Sequence, residues 1–341
     1  MKVLVTGGTG YIGAHTVVEL MNSGFDVDII DNLNNSKEDV FDAITKITGK
    51  RPFWINIDLC DANEIKNYFK KHKPDAVIHF AAHKAVGLSV EQPLEFYRNN
   101  LLSLINLLQC CVDNKCNNFV FSSSCSVYAD PDKLPIDENA LVKTAKSPYG
   151  NTRKIGEEII TDTVKSSLLQ AISLRYFNPV GSHDSALIGE LPTTMPLNVM
   201  PIITQVAIGK RKKFVVFGND YPTPDGSCIR DYIHVVDVAK AHVIAVMRLL
   251  NKKNLSAYEV FNLGTGKGFS VLELIHAFEK TTGQKLNFTI EGRRAGDVTA
   301  VYADTTLANT VLGWNSERNL NDMIRTAWNW ELHLSGRTDF I

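Results

Sequence analysis

The sequence lacks the features that place proteins in membranes, outside the cell or on nucleic acid. No apolar run approaches the ~20 residues that a membrane-spanning helix needs. Basic and acidic residues number 36 and 37, and the net charge of −1 gives no reason to expect nucleic acid or an anionic surface as a partner. Met1-Lys2 leads directly into an apolar strand pattern, which leaves no room for a signal peptide. We therefore expect a cytoplasmic protein with neither a membrane nor a nucleic-acid partner.

Cysteine is scarce, and its spacing does not suit a zinc site. The six cysteines include no CxxC pair of the kind that binds zinc, so we expect no metal and interpret them as free thiols in a reducing compartment. The sequence also has no internal repeat with a period of about 20–50 residues. Its 341 residues are enough for two domains with a large buried core.

What the sequence does contain is a glycine-rich turn near its start. An apolar run over Lys2–Thr6 is followed by Gly7-Gly8-Thr9-Gly10-Tyr11-Ile12-Gly13, and a helical pattern then continues to Gly24. A strand, a glycine turn and a helix N-terminus together form a dinucleotide phosphate site, because backbone amides and the helix dipole face the pyrophosphate. The spacing is GxxGxxG rather than GxGxxG, and a glycine triad alone is weak support.

An acidic residue stands where such a site would hold the adenosine ribose. Asp31 ends a second apolar run, Val27–Ile30, about 20 residues after the glycines. A carboxylate there accepts a hydrogen bond from the ribose 2′-hydroxyl and repels a 2′-phosphate, which favours NAD over NADP. The alternative is that Asp31 only caps a turn, but its spacing favours the ribose role.

Strand and helix patterns alternate along the first half of the chain. Further strands are predicted at Phe53–Ile57, Asp75–Phe80, Asn118–Phe121 and Ala171–Tyr176. The alternation predicts an α/β fold, a Rossmann-type doubly wound parallel sheet that binds its ligands at the carboxyl ends of the strands. Residues predicted at such ends are Asp31, Asp58, Lys84, Ser124 and Phe177.

The character of the sequence changes after Asn178. Residues 181–201 are rich in Pro, Gly and Thr and show little periodicity, which is typical of a lobe added to the sheet. We predict an NAD-binding domain over residues 1–177 and a smaller C-terminal substrate-binding lobe formed mainly by residues 178–341. A helix and a strand at about 232–262 are expected to return to the first domain. A second glycine turn at 264–268 has no acid at ribose distance, so we interpret it as structural.

The sequence around Tyr149 predicts a helix that carries a base. Ser147 suits the N-cap and Pro148 the first helical position. Arg153 follows Tyr149 at i+4, about 40° around the helix and so on the same face. A phenol beside a fixed cation and a helix N-terminus gives up its proton more readily and can act as a general base. The alternative is an ordinary surface helix.

A charged group in the second half of the chain suits a diphosphate sugar. Arg293 and Arg294 stand close to Asp297. Guanidiniums bind diphosphate well, and a carboxylate accepts hydrogen bonds from ribose or sugar hydroxyls. The alternative is a cluster of surface salt bridges.

Considered together, these residues resemble the UDP-glucose 4-epimerases, isomerases of the extended short-chain dehydrogenase/reductase family. The resemblance runs from Lys2 to about Glu331 and includes the stretches VLVTGGTGYIG, HFAAHKAVGLSVEQPLEFYRNN, FSSSCSVY, LRYFNPVGSH, FGNDYPTPDGSCIRDYIHVVDVA and NLGTGKG. It implies bound NAD, a UDP-hexose substrate (UDP-galactose or UDP-glucose) and inversion at sugar C4 through a 4-keto intermediate. It also implies a homodimer formed by the helices around Asn99 and Tyr149, which an apolar stripe of Leu101, Leu104, Ile105 and Leu108 would permit.

The resemblance implies roles for individual residues. Tyr149 would remove the proton of the C4 hydroxyl, Ser124 would hydrogen-bond O4, and Arg153 would stand beside the nicotinamide ribose. The implied NAD-binding set is Gly7, Gly10, Tyr11, Ile12, Gly13, Asp31, Asn32, Asp58, Leu59, Phe80, Ala81, Ala82, Lys84, Asn99, Ser122, Tyr149, Arg153 and Phe177. The implied UDP-sugar set is Lys84, Ser124, Tyr149, Asn178, Asn198, Val199, Val216, Phe217, Arg230, Arg294, Asp297 and Val301.

One catalytic position departs from the family pattern. The family has Tyr-x-x-x-Lys, whereas here Arg153 replaces the lysine and Lys154 follows one residue later. Lys154 lies about 140° from Tyr149 around the helix, too far to take over the role. Arg153 supplies a positive charge on a larger, planar group, so the exchange is not conservative.

Two alternatives to an active epimerase therefore stay open. The first is a protein that binds NAD or a UDP-sugar and whose catalysis Arg153 has weakened. The second is a nucleotide-sugar 4,6-dehydratase, which needs an acid pair directly after the catalytic hydroxyl. Here Ser124 is followed by Cys125 and Ser126, which disfavours the dehydratase.

A second position bears on the choice of sugar. Family members restricted to plain hexoses usually carry a tyrosine where this chain has Val301, and those that accept acetamido sugars carry a small residue. The resemblance therefore implies that UDP-GlcNAc and UDP-GalNAc are also accepted. The alternative is that Val301 packs only in the core while Tyr302 fills the gap.

Overall fold

Strands and helices alternate through the first half of the chain. The structure is a computed structural model, and it describes residues 1–192, 196, 198–294 and 296–341. The strands are β1 (Lys2–Thr6), β2 (Asp26–Ile30), β3 (Phe53–Ile55), β4 (Ala76–His79), β5 (Asn118–Ser124), β6 (Gln170–Tyr176), β7 (Asn178–Val180), β8 (Phe214–Phe217), β9 (Ile229–Arg230), β10 (Tyr232–His234), β11 (Tyr258–Leu263), β12 (Phe269–Ser270), β13 (Phe288–Glu291) and β14 (Ala300–Val301). The α-helices are α1 (Tyr11–Asn22), α2 (Asp39–Thr48), α3 (Ala62–Lys71), α4 (Val86–Glu91), α5 (Pro93–Asp113), α6 (Pro148–Ser166), α7 (Val199–Ala207), α8 (Val235–Leu250), α9 (Val271–Thr282) and α10 (Leu320–Leu334).

The short apolar runs predicted as strands form one parallel sheet in the order β11-β6-β5-β4-β1-β2-β3. Val3, Leu4 and Val5 of β1 are fully buried, as expected for a strand that helices cover on both faces. The strand order reverses direction between β1 and β4, and doubly wound sheets bind their ligands at the carboxyl ends of the strands at such a point. The predicted Rossmann-type α/β fold is confirmed.

Two apolar clusters hold helices on the two faces of this sheet. Side chains of α1, α2 and α8, such as Val17 and Val246, fill one cluster. Side chains of α3, α5 and α6, such as Phe69 and Ile160, fill the other. This burial fixes where α1 and α6 begin, and both helices begin at the edge of the sheet where the parallel strands end.

A smaller lobe is built from later parts of the chain. Helices α7, α9 and α10 pack with β8 and β13 around a separate apolar core that contains Ile203, Phe278 and Trp328. By contrast, β11 pairs with β6 as an edge strand of the large sheet, and α8 packs on that sheet. The chain therefore returns to its first half between two segments of the lobe.

Several details differ from the sequence prediction: β3 ends at Ile55 instead of Ile57, and β4 covers Ala76–His79 instead of residues 75–80. Strand β5 continues to Ser124 instead of ending at Phe121, because its parallel pairing with β6 extends to the pair Ser124 and Tyr176. The apolar stripe of α5 also divides. Leu104 and Leu108 are buried in the core beneath the sheet, while Ile105, on another side of the helix, is 47% exposed.

No helix among the described residues is long and apolar enough to cross a membrane. Within the same part of the chain, no three or more His, Cys, Asp or Glu side chains cluster closely enough to hold a metal ion. The six cysteines carry free thiols.

Candidate active site

Helix α6 begins as its sequence predicts. The hydroxyl of Ser147 accepts a hydrogen bond from the Gly150 amide at 3.1 Å, and Pro148 occupies the first helical position. Tyr149 therefore lies in the first turn, half-buried. A Cβ atom on Gly150 would be 3.4 Å from the Ser126 carbonyl oxygen, so this turn packs directly on the segment that follows Ser124.

Arg153 lies one turn further along α6 and is buried beside Tyr149. Its Cζ is 5.2 Å from the centre of the Tyr149 ring and 5.6 Å from the centre of the Phe121 ring. Its Nη1 donates a hydrogen bond of 3.0 Å to the Ser122 carbonyl. Lys154 instead faces Glu158 on the helix surface, with 4.0 Å between the Lys154 Nζ and the Glu158 Oε1. The structure thus places Arg153, not Lys154, at the tyrosine.

The end of β5 presents hydroxyl groups to the same region. The Ser124 hydroxyl is half-buried and accepts a hydrogen bond from the Ser126 amide at 3.2 Å. The Ser122 hydroxyl bonds the phenol of Tyr176 on the neighbouring strand. Burial, reinforced by the nearby Tyr149, raises the pKa of Tyr176 to about 12, so Tyr176 keeps its proton at neutral pH.

The predicted phosphate cradle is formed by glycines that no larger residue could replace. Gly7 has φ +71°, and a Cβ atom on it would be 2.6 Å from the Ala81 amide nitrogen. A Cβ atom on Gly13 would be 2.1 Å from the Gly7 carbonyl oxygen. Tyr11 and Ile12 form the first turn of α1, whose amide groups are free to face an anion. This geometry fits a dinucleotide pyrophosphate.

Asp31 is held at the end of β2, where a ribose would lie. Its Oδ2 accepts a hydrogen bond from the Thr9 amide at 3.1 Å, and its Oδ1 accepts one from the Leu33 amide at 2.9 Å. Each carboxylate oxygen retains a lone pair for a ribose hydroxyl. The Asp58 carboxylate at the next strand end accepts a hydrogen bond from the Cys60 amide at 2.9 Å, and Asn32 is exposed.

The other predicted cofactor residues lie after several strands of the large sheet and on α5. Phe80 packs on His242 with ring centres 4.6 Å apart, and Phe177 is buried at the end of β6. Leu59, Ala81, Ala82 and Asn99 complete the set at neighbouring strand ends and on α5. The Arg153 Nε is buried without a hydrogen-bond partner among the described residues. A ribose or carboxamide oxygen would satisfy that donor, so the residues present fit a nicotinamide dinucleotide.

Sequence reasoning missed Asn100, whose side chain joins the segment after β4 to α6 through hydrogen bonds. Its Oδ1 accepts a hydrogen bond from the His83 amide at 2.8 Å. Its Nδ2 donates to the His83 carbonyl at 3.0 Å and to the Thr152 hydroxyl at 3.1 Å. The end of β4 and the Arg153 turn of α6 are therefore joined through one buried amide. The sequence carried no signal for this role beyond the position next to Asn99.

A buried ion pair fixes the middle of the same helix, and sequence reasoning also missed it. Glu157 on α6 pairs with Arg175 on β6, and the Arg175 Nε lies 2.9 Å from the Glu157 Oε1. Glu157 also accepts a hydrogen bond from the hydroxyl of Ser123, the residue before Ser124. Arg175 in turn donates a hydrogen bond of 2.8 Å to the Tyr128 phenol. The pair thus connects α6, β5 and β6 next to the end of β5 that carries Ser124.

On the lobe side, the structure brings Arg230, Arg294, Asp297 and Phe217 together. Arg294 holds Asp297 through its Nε at 3.2 Å and its Nη2 at 2.8 Å, and the Arg230 Nη2 lies 3.5 Å from the same carboxylate. The Arg294 Cζ is 5.4 Å from the centre of the Phe217 ring. As predicted, two guanidiniums contact the Asp297 carboxylate, but they belong to Arg294 and Arg230, not to Arg294 and Arg293. Arg293, which the sequence prediction placed there, instead bonds Asp220 at 2.8 Å.

The remaining predicted substrate residues lie around this group. Asn178 begins β7, and its amide donates to the Asp231 carbonyl at 3.0 Å. Val199 is the first residue of α7, while Val216 is buried in the lobe core and is 1% exposed, so it offers almost no surface to a ligand. Val301 is buried with Phe177 in a small apolar cluster.

The second glycine turn serves the protein itself. The buried carboxylate of Asp231 accepts hydrogen bonds from the amides of Thr265 at 2.8 Å and Gly266 at 3.1 Å. It also accepts one from the Ala303 amide at 3.1 Å. The turn therefore anchors the strand that carries Arg230 rather than a second nucleotide.

Lys84 and Asn198, predicted for different ligands, contact the same side chain. The Glu190 Oε1 lies 3.0 Å from the Lys84 Nζ and accepts a hydrogen bond from the Asn198 Nδ2 at 2.6 Å. Glu190 was not among the predicted site residues.

Comparison with known proteins yields a consistent family. The family model described as "GDP-mannose 4,6 dehydratase" matches residues 4–327. A curated relative from Drosophila melanogaster, named UDP-glucose 4-epimerase, is 46% identical over 336 residues, which is 96% of each chain.

Two solved structures are similar over nearly the whole chain. One is a UDP-glucose-4-epimerase from Stenotrophomonas maltophila with bound NAD and formylated UDP-arabinopyranose, with a TM-score of 0.95, 46% identity and coverage of 98% of this chain and 99% of that one. The other is a UDP-glucose 4-epimerase from Bifidobacterium longum in complex with NAD+ and UDP, with a TM-score of 0.94, 41% identity and coverage of 99% and 100%.

Proposed function

The chain belongs to the UDP-glucose 4-epimerase family of extended short-chain dehydrogenases/reductases, and we propose that it interconverts UDP-galactose and UDP-glucose with NAD as its resident cofactor. The observation that carries this proposal is the arrangement at the start of α6. There, Gly150 packs on the segment that follows Ser124, and the buried Arg153 lies against Tyr149, while the glycine cradle and Asp31 lie at the ends of β1 and β2 of the same sheet.

Tyr149 removes the proton of the sugar C4 hydroxyl and later returns it. Negative charge that develops on the phenol oxygen is stabilised by the Arg153 guanidinium, 5.2 Å from the ring centre, and by the N-terminal dipole of α6. Ser124 hydrogen-bonds O4 and fixes the C4 hydroxyl for proton transfer. When bound, NAD would supply the acceptor for the C4 hydride and the source of the hydride that restores the alcohol.

We assign the cofactor and the substrate to the residues that the family resemblance implies. The cradle of Gly7, Gly10 and Gly13 would hold the NAD pyrophosphate, Asp31 would bind the adenosine ribose, and Arg153 would bind the nicotinamide ribose. Arg230 and Arg294 bind the UDP diphosphate, and Asp297 accepts hydrogen bonds from a hydroxyl. In this division, residues 1–177 with about 232–262 bind NAD, and the rest of 178–341 binds the UDP-sugar.

The two alternatives are less well supported. A 4,6-dehydratase needs acidic groups directly after the catalytic hydroxyl, and Ser124 is followed by Cys125 and Ser126. A protein without catalysis would not need a cation fixed at the tyrosine, yet Arg153 is buried there and bonded to the Ser122 carbonyl.

We further propose a homodimer formed through α5 and α6. Apolar side chains on α4 and α5 are left in solvent, with Val90 61%, Leu94 82% and Ile105 47% exposed. Leu94 and Ile105 are eleven residues apart on α5, which is about three helical turns, so they lie on the same face of that helix, and apolar side chains grouped on one face are a feature of protein interfaces. The six free thiols suit a reducing compartment, so we place the enzyme in the cytoplasm.

The decisive experiment is to incubate the purified protein with UDP-galactose without added NAD and to measure the formation of UDP-glucose. Turnover without added NAD is expected because both half-reactions use one bound cofactor. A protein that forms no UDP-glucose even with added NAD would contradict the proposal.

A further inference from the structure

Glu190 joins one residue from each half of the proposed site. Lys84 follows β4 of the large sheet, and Asn198 is the N-cap residue of α7 in the lobe. The Lys84 Nζ and the Asn198 Nδ2 both contact the Oε1 of Glu190, at 3.0 Å and 2.6 Å. Both donors meet a charged acceptor, and hydrogen bonds of this kind are roughly twice as strong as neutral ones.

The position of Glu190 is itself fixed by packing. Its backbone carbonyl accepts a hydrogen bond from the Trp330 Nε1 at 2.9 Å. The preceding Gly189 lies so close to the Trp330 ring that a Cβ atom would be 2.5 Å from the ring Cγ. The Glu190 side chain is only 11% exposed, so it is not a freely hydrated surface charge. The indole of Trp330 on α10 therefore fixes the backbone that carries the Glu190 carboxylate.

The carboxylate lies beside the start of the phosphate-binding helix. The Lys84 Nζ is 5.9 Å from the centre of the Tyr11 ring, and Tyr11 is the first residue of α1. Burial and the nearby charge of Glu190 raise the pKa of Tyr11 well above its ordinary value. A carboxylate at this place would repel a pyrophosphate unless a cation neutralised it, and Lys84 is that cation.

We propose that Glu190 is a positioning residue that holds Lys84 towards NAD and Asn198 towards the UDP-sugar, so that both ligand sites depend on one carboxylate. This inference rests on the proposed function of the site. Glu190 touches neither reacting atom, so its loss weakens the binding of both ligands more than the chemical step.

The test compares Glu190→Ala and Glu190→Gln with the wild type, using purified full-length protein. We expect Glu190→Ala to raise the KM for UDP-galactose about tenfold, which is the effect of losing one charged hydrogen bond, while kcat changes less than about threefold. The fraction of NAD that stays bound through gel filtration should also fall. Glu190→Gln keeps an acceptor oxygen but no charge, so its effects should lie between the two.

A structural role alone would not produce this pattern, and two further variants establish that. In a double-mutant cycle with Lys84→Met, the loss of NAD should be clearly less than additive, because both changes break the same contact. Glu317→Gln removes an exposed partner of Lys240 and should change neither KM nor NAD retention. Unfolding curves of every variant verify that the fold is intact.

An unchanged or lower KM together with full NAD retention in Glu190→Ala and Glu190→Gln would overturn the inference, because Glu190 would then only repel the diphosphates. A wild type that converts no UDP-galactose would instead overturn the proposed function. NAD retention does not require turnover, so it still decides the role of Glu190 in that case.

Discussion

The guanidinium of Arg153 lies against the ring of Tyr149, with 5.2 Å between the Arg153 Cζ and the ring centre. The Arg153 Nη1 also donates a hydrogen bond to the Ser122 carbonyl, and the guanidinium lies over the Phe121 ring. Its Nε has no partner among the described residues. Arg153 therefore stands at the family's lysine position with its guanidinium against the tyrosine ring, and its Nε is a donor that a cofactor oxygen could satisfy.

Arg153 should be the cationic partner of the catalytic tyrosine. Arg153→Lys is expected to maintain or raise kcat, because an ammonium restores the family's geometry. Arg153→Met should lower kcat at neutral pH by at least about tenfold, since it removes the charge next to the phenol oxygen. Steady-state kinetics with UDP-galactose measure both effects. Lys154→Met is the matched control, and the assignment fails if that variant is impaired while Arg153→Met is not.

Tyr149→Phe should separate cofactor binding from chemistry. The variant keeps the ring that packs on Arg153 and should retain bound NAD, but kcat should fall by about 10²–10⁴-fold because the general base is lost. Absorbance of the bound cofactor and kcat for UDP-galactose are the measurements. Tyr97→Phe removes a phenol that accepts a hydrogen bond from Asn151 on the same helix and should leave kcat unchanged. A Tyr149→Phe enzyme with the wild-type rate would disprove the mechanism.

Val301 should set the choice between plain and acetamido sugars. Its side chain packs near Phe177 and Cys125, while Tyr302 lies against Gly268, 3.3 Å from where a Cβ atom of Gly268 would be. Tyr302 therefore does not fill the space beside Val301. We expect the wild type to convert UDP-GalNAc, because Val301 is smaller than tyrosine and leaves room for the acetamido group. It should also convert UDP-galactose, because a pocket rejects a smaller ligand poorly.

The corresponding variant is Val301→Tyr, which should lose turnover of UDP-GalNAc and keep that of UDP-galactose. Retained UDP-galactose turnover shows that the larger ring has not disrupted the fold. If the wild type epimerises UDP-galactose well but not UDP-GalNAc, another residue closes the pocket.

Buried histidines should make the protein lose stability in acid. Burial lowers the pKa of His15 to about 3 and that of His242 to about 4, and burial together with the charge of Arg153 lowers the pKa of His79 to about 3. In the unfolded chain histidine titrates near 6.5. Between that pH and the folded values, only the unfolded state binds the protons, so stability falls as pH drops from about 6.5 towards 4. Each histidine should contribute on the order of 1 kcal/mol per pH unit.

Urea unfolding at pH 7.5, 6 and 5 measures this slope. His234 is a fourth buried histidine whose pKa burial lowers well below its ordinary value. His242→Phe should therefore reduce the slope by about a quarter over this range, because the Nε2 of His242 has no partner among the described residues and a phenyl ring does not titrate. His333→Gln, at an exposed position, is the control and should leave the slope unchanged. A free energy of unfolding that does not vary from pH 7.5 to 5 would contradict this account.

Much of the site followed from short-range patterns in the sequence. The strand, glycine turn and helix at residues 2–22 are encoded by neighbouring residues, because strand periodicity, tight backbone contacts and helix start signals are all local. The same applies to Tyr149 and Arg153, since i and i+4 on one helix share a face whatever the rest of the chain does. The family resemblance then suggested where the two ligands bind.

Only the tertiary structure decided which distant side chains meet. Arg293 and Arg294 are adjacent and chemically alike, yet one bonds Asp220 and the other bonds Asp297. Leu104 and Ile105 are equally apolar, yet one is buried and the other exposed, since the docking of α5 on the sheet selects the buried face. Lys84 and Glu190 are 106 residues apart and meet only after the lobe has folded against the sheet. Local sequence determines the type of each element, while contacts of this length depend on how the two cores are packed together, and no local pattern encodes that.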